Sequence, residues 1–189
     1  MIESEMKDIL IDAKGQMNKS LEHLASELRS IRAGRATPSM LENVFVDYYG
    51  SSTPLNQIAS VSAPSPDMLL VQAWDKSAVH NVERGIIAAN LGLNPSNDGE
   101  LIRVPVPPLS EERRHDLVKV AKNRGEDVKI SIRNIRRAAR DEIKRKQKDE
   151  HLPEDMRFEA EERLDEMTHE FIEAVDKALG KKEVEIMEV

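Results

Sequence analysis

Residues 131–140 read SIRNIRRAAR and set four guanidinium groups, Arg133, Arg136, Arg137 and Arg140, within ten positions. The chemistry open to such a run is anion binding. Arginine presents its donors in a planar fork that meets a phosphate at two points, where lysine offers only a point charge. The run sits in a basic stretch. Residues 110–149 carry 14 basic and 8 acidic side chains, and residues 150–189 carry 5 and 14. The whole chain has a formal charge of −7. Its acidity therefore belongs mostly to the C-terminal segment, and this partition says more about partners than the net value does.

Other chemistry finds less support. Two E-x-x-H runs, Glu112…His115 and Glu166…His169, have the spacing that supplies di-metal sites in four-helix bundles. Each histidine falls two residues from an apolar position, Leu117 or Phe171, so on a helix each turns about 160° away from the core. His23, His80 and His151 form no ligand pattern, and the serines lack a recognisable base partner. ALGKKE has a Gly-Lys pair without the leading glycine of a phosphate loop, and no dinucleotide glycine fingerprint occurs. The absence of cysteine removes disulfides, thiolate chemistry and cysteine-based zinc sites. Expected, then, are no catalytic residues, no metal and no cofactor.

Long helices position the cations. Residues 2–32 repeat apolar side chains in steps of three or four: Ile2, Met6, Ile9, Ala13, Met17, Leu21, Leu24, Leu28 and Ile31. The spacing predicts one amphipathic helix of about 45 Å that Gly34 and Pro38 end. Residues 35–108 change character. NVFVDYYG, MLLVQAW and, more weakly, QIASVSA read as strands, and LIRVPVP as an edge or exit strand because of its prolines. GSSTP, APSPD and NPSNDG read as turns, and KSAVHNVERGIIAANLG as a helix stopped at Gly92. Helical spacing returns after Ser110, read as an N-cap, with Leu117, Ala121, Val128, Ile132, Ile135, Ala139 and Ile143. After Pro153, read as a first helical residue, a third stripe runs Ala160, Leu164, Met167, Phe171, Val175 and Ala178, fading after Gly180. Helices with one apolar face need partners. The expected fold is α+β: a long three-helix bundle from residues 1–33 and 107–189, with a small α/β (β-α-β sandwich-like) domain, residues 34–106, inserted. The chain crosses between them at Gly34 and at Pro107–Pro108, which reads as a hinge.

On a helical wheel with Val128 at zero, the apolar residues of 117–143 span about −20° to +60°. Lys122, Lys129, Arg133, Arg136, Arg140 and Lys144 fall between about +80° and +160°, and Lys119 and Arg137 near about 180°. Charged helix faces are usually just solvated, and some of these cations have the acidic helix within reach. The weight on arginine nevertheless favours phosphate. A stripe ~30 Å long suits a nucleic-acid backbone better than a compact metabolite, and without interleaved aromatics it suits backbone tracking on structured RNA or DNA rather than base stacking. The rival is a helical module whose stripe serves a partner protein, which RNase treatment of a pull-down distinguishes. MIESEMKDIL has acids where a signal peptide needs a basic region, and no apolar run reaches spanning length, so a cytoplasmic protein without membrane contact is expected.

Three blocks carry a resemblance over nearly the whole chain: IRAGRATPSMLENVFVDYYGSSTPLNQIASV, NLGLNPSNDGELIRVPVPPLSEERRHDLVK and ISIRNIRRAARDEIKR. In order and content they closely resemble the bacterial ribosome recycling factors. Ala33 stands where that family is expected to carry a hydroxylated residue in its I-R-x-G-R-A run. The resemblance implies an L-shaped, monomeric, non-enzymatic protein of a three-helix bundle and a hinged α/β domain. It implies action after termination, with elongation factor G and GTP hydrolysis by that partner, to split the ribosome and free it from mRNA. It implies a bundle docked on large-subunit ribosomal RNA through Arg133, Arg136 and Arg137 of SIRNIRR, Arg32 and Arg35 of IRAGRA, and Arg113 and Arg114 of EERR. The small domain is the part expected to meet elongation factor G. No small-molecule substrate is implied.

Overall fold

A computed structural model describes residues 4–188. The chain divides into two compact units, one of residues 34–110 and one formed by the segments on either side of them. Ile2, at the head of the first apolar stripe, lies outside the described residues.

The first unit is three long helices: α1 (Ser4–Ser30), α3 (Glu111–Asp149) and α4 (Glu154–Met187). Their core is the predicted stripes brought together. Met6, Met17 and Leu24 of α1, Ile132 and Ile143 of α3, and Leu164 of α4 are all but completely buried. α1 ends four residues before Gly34, where the Ile31 N–H donates to Leu28 O at 3.2 Å. α4 does not fade at Gly180. It continues to Met187 because Lys182 and Ile186 remain buried on its inner face. Pro153 precedes the first helical residue of α4 rather than occupying it. α3 and α4 approach closely where Gly125 faces Leu179. A Cβ at position 125 would stand 2.3 Å from Leu179 Cδ1.

The second unit has its own core of Leu41, Val46, Leu55, Leu69, Ile86 and Ile102, among others. β1 (Phe45–Tyr48) pairs antiparallel with β2 (Ser51–Pro54). β3 (Ala59–Ser65), β4 (Met68–Ala73), β5 (Ser96–Asn97) and β6 (Leu101–Pro105) form an antiparallel sheet in the order β3-β4-β6-β5. α2 (Val79–Ala88) lays Val79, Val82 and Ile86 into this core. Several sequence expectations change here: NPSNDG, read as a turn, supplies β5 at Ser96–Asn97, and APSPD, also read as a turn, supplies the last residues of β3. GSSTP is not only a turn: Tyr49 and Gly50, at φ 50° and 80°, make the tight reversal, and Ser51–Pro54 is a strand. LIRVP is not at the sheet edge, since β5 lies outside it, but it is the exit strand, the last before the chain leaves the sheet. β5 pairs only with Ile102 and Arg103, so Pro105 at the strand end has no neighbour on that side needing an N–H. The return segment through Leu109 belongs with this unit, and Leu109 lies against Gly34 (φ 77°).

Candidate nucleic-acid interface

α3 buries Ala121, Val128, Ile132, Ala139 and Ile143, and this orientation fixes where its cations go. The flank next to the core stripe faces the acidic helix. Four ion pairs cross from α3 to α4: Lys122–Glu183 at 3.4 Å, Lys129–Asp176 at 2.5 Å, Arg136–Asp165 at 2.6 Å and Arg140–Glu161 at 3.1 Å. The first three cations are seven residues apart. That is the interval at which a helix presents the same flank to an antiparallel neighbour, as charges beside a coiled-coil seam do. The wheel's single stripe is therefore two rows. Its inner row is largely a charge seam inside the bundle.

Besides Arg136, three of these cations are held against α4. Lys129 has only 17% of its side chain exposed, with its ammonium on Asp176. Lys122 pairs with Glu183. Arg140 belongs to a partly buried triad in which Glu161, 9% exposed, takes Arg140 Nη2 at 3.1 Å and Arg157 Nη1 at 3.8 Å. Arg140 Nε, Arg157 Nε and Glu161 Oε1 are buried without hydrogen-bond partners. Removing one member of such a group leaves the others uncompensated, so Arg140 holds α3 against α4. These cations, like Arg136, have acidic residues of α4 at matching positions.

The outer row is Arg133 and Arg137, while Arg136 lies in the seam and stays partly accessible there. Arg133 is exposed, and its Nη1 donates to Glu126 Oε1 of the same helix at 3.2 Å. Arg136 is half-buried and uses Nε on Asp165. Arg137 is exposed and, among the described residues, has no hydrogen-bond or ion-pair partner. Ile130, one turn before Arg133 and two before Arg137, is also exposed at 48%. Arg32 lies exposed just beyond the end of α1; Arg113 is exposed and Arg114 half-buried in the first turn of α3. Arg35 is exposed in the other unit. The residue that sequence reasoning missed is Asp165. Its signal was present as the spacing of α4's acids, antiparallel to α3's cations.

The E-x-x-H histidines face outward. His115 Nε2 lies 3.8 Å from Glu111 and His169 Nε2 lies 3.3 Å from Glu173, with side chains 58% and 76% exposed. Among the described residues no three His, Cys, Asp or Glu side chains converge on a point where a metal would sit. Among them, too, no helix is long and apolar enough to cross a membrane.

The small unit presents a polar knot beside exposed aromatics. Asp75 Oδ2 accepts from Tyr48 and Tyr49 at 3.2 Å each, and Oδ1 accepts from the Ser77 hydroxyl at 2.7 Å and amide at 2.9 Å. The Ser77 hydroxyl, then its amide, hold the Asp75 carboxyl below the usual carboxylate value, with smaller contributions from the tyrosines against opposing desolvation. Trp74, next in the chain, and Tyr49 are 66% and 80% exposed.

Residues 24–187 match the family model described as ribosome recycling factor. The chain is 53% identical over 189 residues to the ribosome-recycling factor of Salinibacter ruber, covering all of both chains. It is 47% identical to that of Natranaerobius thermophilus, over 96% of this chain and 98% of the other. Among solved structures, it is similar to a solution structure of the ribosome recycling factor, with TM-score 0.71, 37% identity and full coverage of both chains. It is also similar to the T. thermophilus ribosome recycling factor in a structure where that factor and E. coli elongation factor G are bound to the E. coli post-termination complex. There the TM-score is 0.60 with 44% identity, covering 97% of this chain and 99% of that one.

Proposed function

The chain belongs to the ribosome recycling factor family, and on that premise we propose that it dissociates post-termination ribosomes together with elongation factor G and GTP. The carrying observation is the end-to-end likeness, 53% identity over all 189 residues. The test is a subunit-splitting assay with post-termination ribosomes, elongation factor G and GTP. Splitting that requires this chain supports the reading; splitting at the same rate without it overturns the reading.

The finer assignments are part of the same proposal. The bundle docks on large-subunit ribosomal RNA, with Arg133, Arg136 and Arg137 as its principal phosphate contacts and Arg32, Arg113 and Arg114 as further ones, and Arg35 adds one from the small unit. The exposure of Arg133 and Arg137, and the single Nε bond by which Asp165 holds Arg136, support that choice over Lys122, Lys129 and Arg140. The small unit meets elongation factor G, and Gly34, Pro107 and Pro108 form the hinge. The protein works as a monomer in the cytoplasm and is not an enzyme. The free energy for splitting comes from GTP hydrolysis by the partner.

A further inference from the structure

We propose that Asp165 is a positioning residue for docking: it holds the guanidinium of Arg136 by its side edge and so presents the end edge to a phosphate. The inference rests on the RNA-docking reading. A guanidinium carries five N–H donors in a rigid plane, enough to engage two oxyanions at different edges. The Arg136 bond runs from Nε to Asp165 Oδ1 at 2.6 Å. A carboxylate at Nε occupies the side of the fork and leaves the edge between Nη1 and Nη2 for a second oxyanion. Neighbouring arginines are held differently. Arg133 donates through Nη1 and Arg140 through Nη2, so in each the carboxylate takes a terminal nitrogen that a phosphate would otherwise use. Both partners of the Arg136 pair are accessible, at 37% and 45% side-chain exposure, so RNA can reach the guanidinium without breaking the bundle. Fixing the fork before docking removes part of the rotamer entropy that binding otherwise costs.

A carboxylate near RNA also repels it. That contribution is the same with or without Arg136, so a double-mutant cycle cancels it. The readout is affinity for vacant large ribosomal subunits across a salt series. In the unaltered chain, Arg136→Ala is expected to weaken binding about tenfold; with Asp165→Ala present, the same change costs only about twofold, a coupling of about fivefold. Asp165→Glu keeps an acceptor on the same helix face and restores most of the coupling. Because Asp165 is exposed and alanine favours helix, circular dichroism stays unchanged. Equal losses in both backgrounds overturn the positioning role. So does a larger loss from Arg136→Ala once Asp165 is gone, which makes the carboxylate a competitor. An Arg136→Ala chain that binds at full affinity overturns docking through Arg136 itself, and that arm does not involve Asp165.

Discussion

At the scale of single residues, SIRNIRRAAR contains three roles within ten positions. Ile132 is fully buried, Arg140 ties α3 to α4, and Arg137 stands exposed on the outer face. Substitutions should separate them. Ile132→Ala removes a core side chain and is expected to lower bundle stability by about 2–5 kcal/mol, measured by urea unfolding. Arg137→Ala should leave unfolding within about 0.5 kcal/mol and instead weaken binding to vacant ribosomes. Unchanged affinity removes Arg137 from the docking row. Asp75 gives a separate test in the small unit. Its carboxyl is held below the usual value when folded, so its contribution is complete above the unfolded value of about 3.9 and is lost as pH falls through the lower folded one. The stability of the small unit, read from Trp74 fluorescence in thermal melts, should fall on acidification below about pH 4. Asp75→Asn should flatten that dependence, and an unaltered acid limb removes Asp75 as its source.

At the scale of elements, Gly125 shows how close packing overrides local preference. Alanine in place of a helix-interior glycine ordinarily stabilises by up to about 1 kcal/mol. Here the added methyl would meet Leu179 at 2.3 Å, so Gly125→Ala is expected to destabilise by about 1 kcal/mol or more. Gly125→Ala with Leu179→Ala should cost less than the sum of the two changes in urea unfolding, and strict additivity removes the contact as the cause. Sequence reading reached α1, α3 and α4 because their apolar steps of three and four repeat for many turns. It missed β2 and β5, because Ser-Ser-Thr-Pro and Asn-Pro-Ser-Asn have turn composition and form strands only through pairing with β1 and β6. It ended the last helix early, because Lys182 looks polar in the sequence and is buried in the structure. The cations of the site were legible as residues. The division of their stripe was not. It depends on which flank α4 covers, and the pairs that reveal it join residues 21 to 61 positions apart in the chain.

At the scale of the whole molecule, a protein of net charge −7 is proposed to bind RNA through one local row of arginines. Its ribosome affinity should fall linearly in log–log form with salt, by about 0.7–0.9 per phosphate contact, and a flat response removes phosphate contacts from the account. Gly34→Ala should force Leu109 to move and strain a backbone position at φ 77°. It is expected to slow subunit splitting while leaving binding to vacant ribosomes intact, and normal splitting makes this junction dispensable. The insertion of residues 34–110 between α1 and its partners also orders events during the protein's own synthesis. At roughly 5–20 residues per second, α1 emerges roughly 4–15 s before the first turn of α3, and longer still before α4. Through that interval Met6, Met17 and Leu24 have no α3 or α4 residues to cover them, while by its end the small unit has every residue of its core. The nascent chain thus completes its second unit first and carries an uncovered amphipathic helix meanwhile, the stage at which a chaperone that recognises apolar helices would find it.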